Sequence, residues 1–111
     1  MDEYTNKYLY DILSAIEDIE SYFNDRPKVF KEFCHNSMLH KAIERNIEII
    51  GEATSRVLKL HSDIPISNAR QAVSARNFVI HGYDKVDDTI LWGIVINDLP
   101  KLKEEVSSLL K

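Results

Sequence analysis

Turn-forming residues are scarce in this chain, with three Gly and three Pro among 111 residues. Gly and Pro are the usual punctuation of tight turns. Their scarcity disfavours many short strands and suits a few long elements joined by short loops. Cysteine is scarcer still: Cys34 stands alone, so no internal disulfide can form. Long apolar runs are missing too. The longest, Ile90 to Ile96, is about a third of the ~20 residues that span a bilayer. The opening Met1-Asp2-Glu3-Tyr4 is acidic and lacks the basic, apolar start of a secretion signal. A cytoplasmic protein with no membrane segment is the expectation. Nor is there an excess of positive charge: 14 Lys and Arg face 18 Asp and Glu, for a net charge of −4. Broad, charge-driven coating of nucleic acid is thereby disfavoured, while a local grip on a short strand, or a protein partner, remains open. No Gly-rich phosphate loop is present, which speaks against hydrolysis of nucleoside triphosphates.

What is present is an ordinary globular composition, 44% hydrophobic and 29% charged, enough for one domain over residues 1–111 with one core. No segment alternates with a period of two for long enough to be a strand. From Thr5 to Asn24, Leu9, Ile12, Leu13, Ile16, Ile19 and Phe23 recur at steps of three and four, the face of an amphipathic helix. Asp25-Arg26-Pro27 ends it, since Pro27 lacks an amide donor and disfavours helix just before itself. Val29, Phe30 and Phe33 form a short apolar connector. A second helix is predicted over Ser37–Leu60, capped by Asn36 or Ser37, with Leu39, Ile43, Ile47, Ile50, Val57 and Leu58 as its stripe. Gly51 in its middle points to close packing of a neighbour.

Ser62-Asp63-Ile64-Pro65 reads as a loop. Ser67 or Asn68 can then cap a third helix through Ala69, Val73 and Arg76 to about Ile80, with Gly82 as its stop. Asp87 caps a fourth, carrying Leu91, Val95, Leu99, Leu102, Val106 and Leu109. Pro100 falls inside that pattern, so a kink is expected there, or a restart with Asp98 as a new cap. The fold class is all-α, a four- to five-helix antiparallel bundle.

The most unusual stretch is Arg76-Asn77-Phe78-Val79-Ile80-His81-Gly82-Tyr83-Asp84. Residues five apart differ by about 140° around an α-helix, so Arg76 and His81 do not share a face of a regular helix. Either the helix breaks before His81, or the two converge with help from a second subunit. Taken alone, such a pair is more often a surface charge and a satisfied polar residue. Glu48 and Glu52 lie one turn apart on the second helix, but Arg45 and Arg56 stand at ion-pairing steps from them, and Glu52 beside Gly51 is placed to line a cleft. Cys34, His35 and His40 lack the spacing and the fourth ligand of a zinc site. Tyr4, Tyr8, Tyr22 and Phe23 follow helix spacing and are expected as core or dimer contacts.

The run Arg76-Asn77-x-x-x-His81-x-Tyr83, followed by Val86-Asp87, resembles the signature of the HEPN superfamily, and of its HepT-like branch in particular. The resemblance extends to Tyr8-Leu9-x-Asp11-Ile12-Leu13 with Ile16, and to the segment from Ala42 to Ala53, which includes Glu44-Arg45-Asn46 and Gly51-Glu52. Ile64-Pro65, Trp92 and Asp98-Leu99-Pro100-x-Leu102 follow in matching order. Ile66 departs from the pattern, for family members often carry Trp after that Pro; the difference touches packing and no catalytic position.

The resemblance implies a homodimeric HEPN fold and a metal-independent endoribonuclease that needs no cofactor, with its site in a cleft between subunits. Arg76 and His81 map onto the catalytic pair, with Asn77 orienting the phosphate or holding a helix end and Tyr83 contacting RNA. It also implies a toxin–antitoxin pairing with a nucleotidyltransferase of the MntA type, which transfers AMP to the tyrosine two residues after the histidine, here Tyr83. The alternative is a helical binding module for that nucleotidyltransferase, with the Arg–His pair no longer cutting RNA.

Overall fold

The computed structural model describes residues 2–66 and 88–110, and every regular element in that range is helical. The first, α1 (Glu3–Ser21), starts two residues earlier than the apolar pattern indicates because Asp2 caps it. The Asp2 Oδ1 accepts from the Thr5 backbone N–H at 2.9 Å and Oδ2 from the Thr5 hydroxyl at 2.8 Å, satisfying donors that a helix start leaves open. Beyond Ser21 the chain tightens into turns, with Phe23 N–H donating to the Glu20 carbonyl and Asn24 N–H to that of Ser21. The apolar connector is a short helix, α2 (Phe30–His35), whose Phe33 is fully buried.

The longest element, α3 (Ser37–Leu60), has the predicted bounds. Its cap is Asn36, whose side chain accepts from the Leu39 N–H at 3.0 Å. Gly51 is buried in its middle. α1 and α3 run antiparallel: Tyr22, just past the end of α1, meets Asn46 of α3, while Asp2 and Thr5 at its start meet His61 just past the end of α3. Leu9, Ile12 and Ile16 of α1 and Ile43, Ile47 and Ile50 of α3 are at most 1% exposed. Each such side chain contributes roughly 1.5–3 kcal/mol by leaving water.

The fourth predicted helix is one rod in three parts: α4 (Asp88–Gly93), a π-helical turn (Ile94–Asp98) and α5 (Leu99–Leu109). Asp98 is not a new cap, as a restart requires. Its backbone is helical and its side chain makes no capping bond, while the Leu99 N–H reaches back five residues to the Ile94 carbonyl. The wider turn accommodates Pro100, which has no N–H to give and whose ring would crowd the preceding turn. Leu91, Val95, Leu99, Leu102 and Val106 join the common core. The expected third helix, its caps Ser67 or Asn68, its stop Gly82 and the cap Asp87 lie outside the described residues. Among the described residues no helix is long and apolar enough to cross a membrane.

Candidate functional site

Arg76, Asn77, His81 and Tyr83 fall between residues 67 and 87 and lie outside the described residues. The structure fixes both ends of that connection. On the incoming side, the His61 N–H donates to the Val57 carbonyl at 2.8 Å and the Ile64 N–H to the His61 carbonyl at 3.2 Å, and Ile64 and Ile66 are buried. On the outgoing side, Asp88 is held by His40, whose Nε2 lies 2.6 Å from Asp88 Oδ1. His40 is the fourth residue of α3 and Leu60 its last, so Asp88 is anchored about 30 Å along that helix from the point where the chain leaves it, at ~1.5 Å per residue.

His40 has carboxylates on both ring nitrogens, Glu44 one turn along α3 at Nδ1 and Asp88 at Nε2. Its ring stacks on Phe33 at 4.7 Å. Phe33 in turn stacks on Trp92 at 5.2 Å, and Trp92 meets Phe23 edge-on at 5.9 Å. The half-buried Cys34 thiol donates to Asp88; burial first, then that hydrogen bond and the nearby negative charge, push its pKa above the ordinary thiol value. The structure thus joins Cys34 and His40 through Asp88. His35 goes elsewhere, its Nδ1 lying 3.0 Å from the Lys31 carbonyl. Among the described residues, no three His, Cys, Asp or Glu side chains converge as a metal site. Asp88 as a partner of His40 escaped the sequence reading because the two stand 48 positions apart.

A second arrangement lies between α1 and α3. An open groove is lined by Lys7, Tyr8 and Asp11 of α1 and by Arg45, Ile49, Glu52, Ala53 and Arg56 of α3. Glu48 and Glu52 pair with arginines as their spacing predicts, Glu48 with Arg45 at 3.1 Å and Glu52 with Arg56 at 3.6 Å. Lys7 pairs with Asp11 at 3.3 Å. The Tyr8 ring has Lys7 Nζ at 5.1 Å and the Arg56 guanidinium at 5.9 Å from its centre. Just past the end of α1, Tyr22 and Phe23 pack against the core, and the Tyr22 hydroxyl accepts from Asn46 Nδ2 at 2.8 Å. Tyr4 is 73% exposed and is no core residue.

Comparison with known proteins finds relatives of this sequence. A family model described as "Ribonuclease HepT-like" matches residues 12–109. The chain is 37% identical over 100 residues to a Methanocaldococcus jannaschii protein provisionally named an RNase, covering 89% of this chain and 90% of that one. It is 37% identical over 108 residues to a Thermococcus cleftensis protein named as a probable ribonuclease HepT, covering 94% of each. A second provisionally named RNase of M. jannaschii is 30% identical over 105 residues, covering 94% of this chain and 89% of the relative. No solved structure gives a significant match.

Proposed function

The chain belongs to the HepT-like ribonuclease family, and from that premise we propose that it is a metal-independent endoribonuclease with Arg76 and His81 as its catalytic pair. The observation that carries the reading is that the full Arg76-Asn77-x-x-x-His81-x-Tyr83 run lies inside the matched range of 12–109. The residue types suit the chemistry. The 2′-hydroxyl of RNA attacks the adjacent phosphorus, the 5′-oxygen leaves, and a 2′,3′-cyclic phosphate and a 5′-hydroxyl result. His81 moves the proton between the attacking and leaving oxygens, as an imidazole is suited to do near neutral pH. Arg76 donates parallel hydrogen bonds to the phosphate oxygens as charge gathers on them. Asn77 orients the phosphate, and Tyr83 binds RNA by stacking or hydrogen bonding.

The same reading has the protein act as the toxin of a toxin–antitoxin pair, as a two-fold homodimer whose Arg76–His81 sets share one cleft. Its partner is an MntA-type nucleotidyltransferase. The Tyr83 phenol oxygen attacks the α-phosphorus of ATP, pyrophosphate leaves and the phenol proton is lost. The added AMP puts bulk and negative charge in the cleft and blocks RNA. Incubation with total RNA in EDTA tests the core of the reading. The native protein cuts, while Arg76→Ala and His81→Ala lose on the order of a hundredfold or more and stay folded. For the modification, Tyr83 gains AMP from the partner with ATP and magnesium, and Tyr83→Phe does not; AMP on another residue overturns that assignment.

A further inference from the structure

The groove between α1 and α3 is not required by the packing of those helices, which rests on Leu9, Ile12, Ile16, Ile43, Ile50 and Val57. Lys7, Tyr8, Asp11, Arg45, Glu52 and Arg56 line an opening instead of closing a core. They fall in or beside the two segments, around Tyr8–Leu13 and Ala42–Ala53, through which the chain resembles its family outside the nuclease motif.

The chemistry of the lining is uncommon for this chain. Three cations and two carboxylates line the groove, and with Glu48, the partner of Arg45 just outside it, the charges balance, whereas the whole chain has a net charge of −4. The cations are loosely held. Lys7 and Arg56 meet their carboxylates at 3.3 and 3.6 Å, with side chains 45–67% exposed, and such pairs change partners at little cost. Arg45 is tied to Glu48 at 3.1 Å, and its side chain is 67% exposed. Between the cations lies the half-buried ring of Tyr8.

A cation for each of several phosphates, an aromatic face for a base and carboxylates that accept from base amino groups are together what single-stranded RNA requires. A mixed surface without the aromatic ring would suit a protein as well; the Tyr8 ring favours the nucleic acid. Building on the nuclease reading, we infer that the α1–α3 groove binds a single-stranded stretch of the RNA substrate. Lys7, Arg45 and Arg56 contact phosphates, Tyr8 stacks on a base, and Asp11 and Glu52 accept from exocyclic amines. The groove supplies the local grip that an acidic protein needs in order to hold RNA.

The test reads binding apart from cutting. A fluorescent single-stranded RNA is titrated by anisotropy into the full chain carrying His81→Ala, at several salt concentrations. Adding Lys7→Gln, Arg45→Gln or Arg56→Gln should each weaken binding about three- to tenfold at low salt. Each should also reduce the slope of log affinity against log salt by ~0.7. Tyr8→Leu should weaken binding about fivefold or more with the salt slope unchanged, and circular dichroism checks that it stays folded. Lys101→Gln, on the exposed face of α5, should bind as the parent does. The inference is overturned if the groove variants bind like the parent, if Lys101→Gln loses as much as they do, or if the parent binds no RNA. It is also overturned if they keep RNA affinity but lose self-association or partner binding, which makes the groove a protein-docking surface. Groove-dependent binding by an unmutated protein that never cuts would instead remove the nuclease reading alone.

Discussion

At Asp2 one carboxylate serves two elements. It caps α1 through Thr5 and faces His61 Nε2 at 3.0 Å beyond the end of α3. The Thr5 backbone N–H, then His61 and the Thr5 hydroxyl, hold its pKa well below the ordinary 3.8. A carboxylate whose folded value is depressed contributes stability that is present above its unfolded pKa and lost as pH falls through the folded one. Acid titration should therefore erode stability from about pH 4 downward. Asp2→Asn, which keeps a capping oxygen, should make that slope shallower in denaturant titrations; an unchanged slope removes Asp2 from the account. Thr54 presents the opposite case. Its side chain is fully buried and its hydroxyl has no hydrogen-bond partner among the described residues, so on that packing its desolvation is not offset. Thr54→Val replaces that hydroxyl with a methyl of similar size and should raise stability by about 1 kcal/mol. A clear loss in thermal or urea unfolding would show that the hydroxyl has a use.

Among the elements, the rod from Asp88 to Leu109 is where helix propensity and packing disagree. Gly93 stands at the entry to the π-helical turn with helical dihedrals, φ −58° and ψ −39°. Among the described residues, nothing beyond the helix's own neighbouring backbone lies within 4 Å of where a Cβ would sit. Gly93→Ala should stabilise the protein by roughly 0.5–1 kcal/mol, because alanine leaves less backbone freedom to lose on folding. Destabilisation in urea unfolding would mean that the π turn needs the glycine. Elsewhere local pattern was a good guide. The bounds of α3 follow from its apolar spacing and the Asn36 cap, whereas α1 starts two residues earlier than its pattern, because of Asp2, and ends at Ser21, three residues short of Asn24, where the chain passes into turns. The π turn was illegible because a hydrogen bond reaching back five residues instead of four leaves no mark in composition. Pro100 is ambiguous for a related reason: the same residue can break a helix or sit in the first turn of one, and it takes the second place in α5.

On the scale of the whole molecule, the Arg76–Tyr83 run could be matched to its family because its parts are contiguous in sequence, and it lies outside the described residues. The Glu44–His40–Asp88 clasp and the α1–α3 groove were not, because each joins residues from different helices. The proposed homodimer has apolar side chains to cover. Tyr4 and Tyr10 of α1 are 73% and 57% exposed, and Ile90 and Ile96 are 48% and 38% exposed. Covering such side chains is a common reason for two-fold association. Light scattering at micromolar concentration should give the mass of a dimer, and Tyr10→Lys with Ile90→Lys should shift it towards monomer; a native monomer contradicts the shared-cleft reading. The most direct test of the central claim is the product ends of a short RNA cut by the purified protein in EDTA, read by mass spectrometry. The ends should be 2′,3′-cyclic phosphate or its 3′-phosphate hydrolysis product opposite a 5′-hydroxyl, with a single 2′-deoxy substitution abolishing the cut at that position and His81→Ala abolishing all cuts. Cleavage only with added magnesium, 5′-phosphate ends, or full activity in His81→Ala would contradict it.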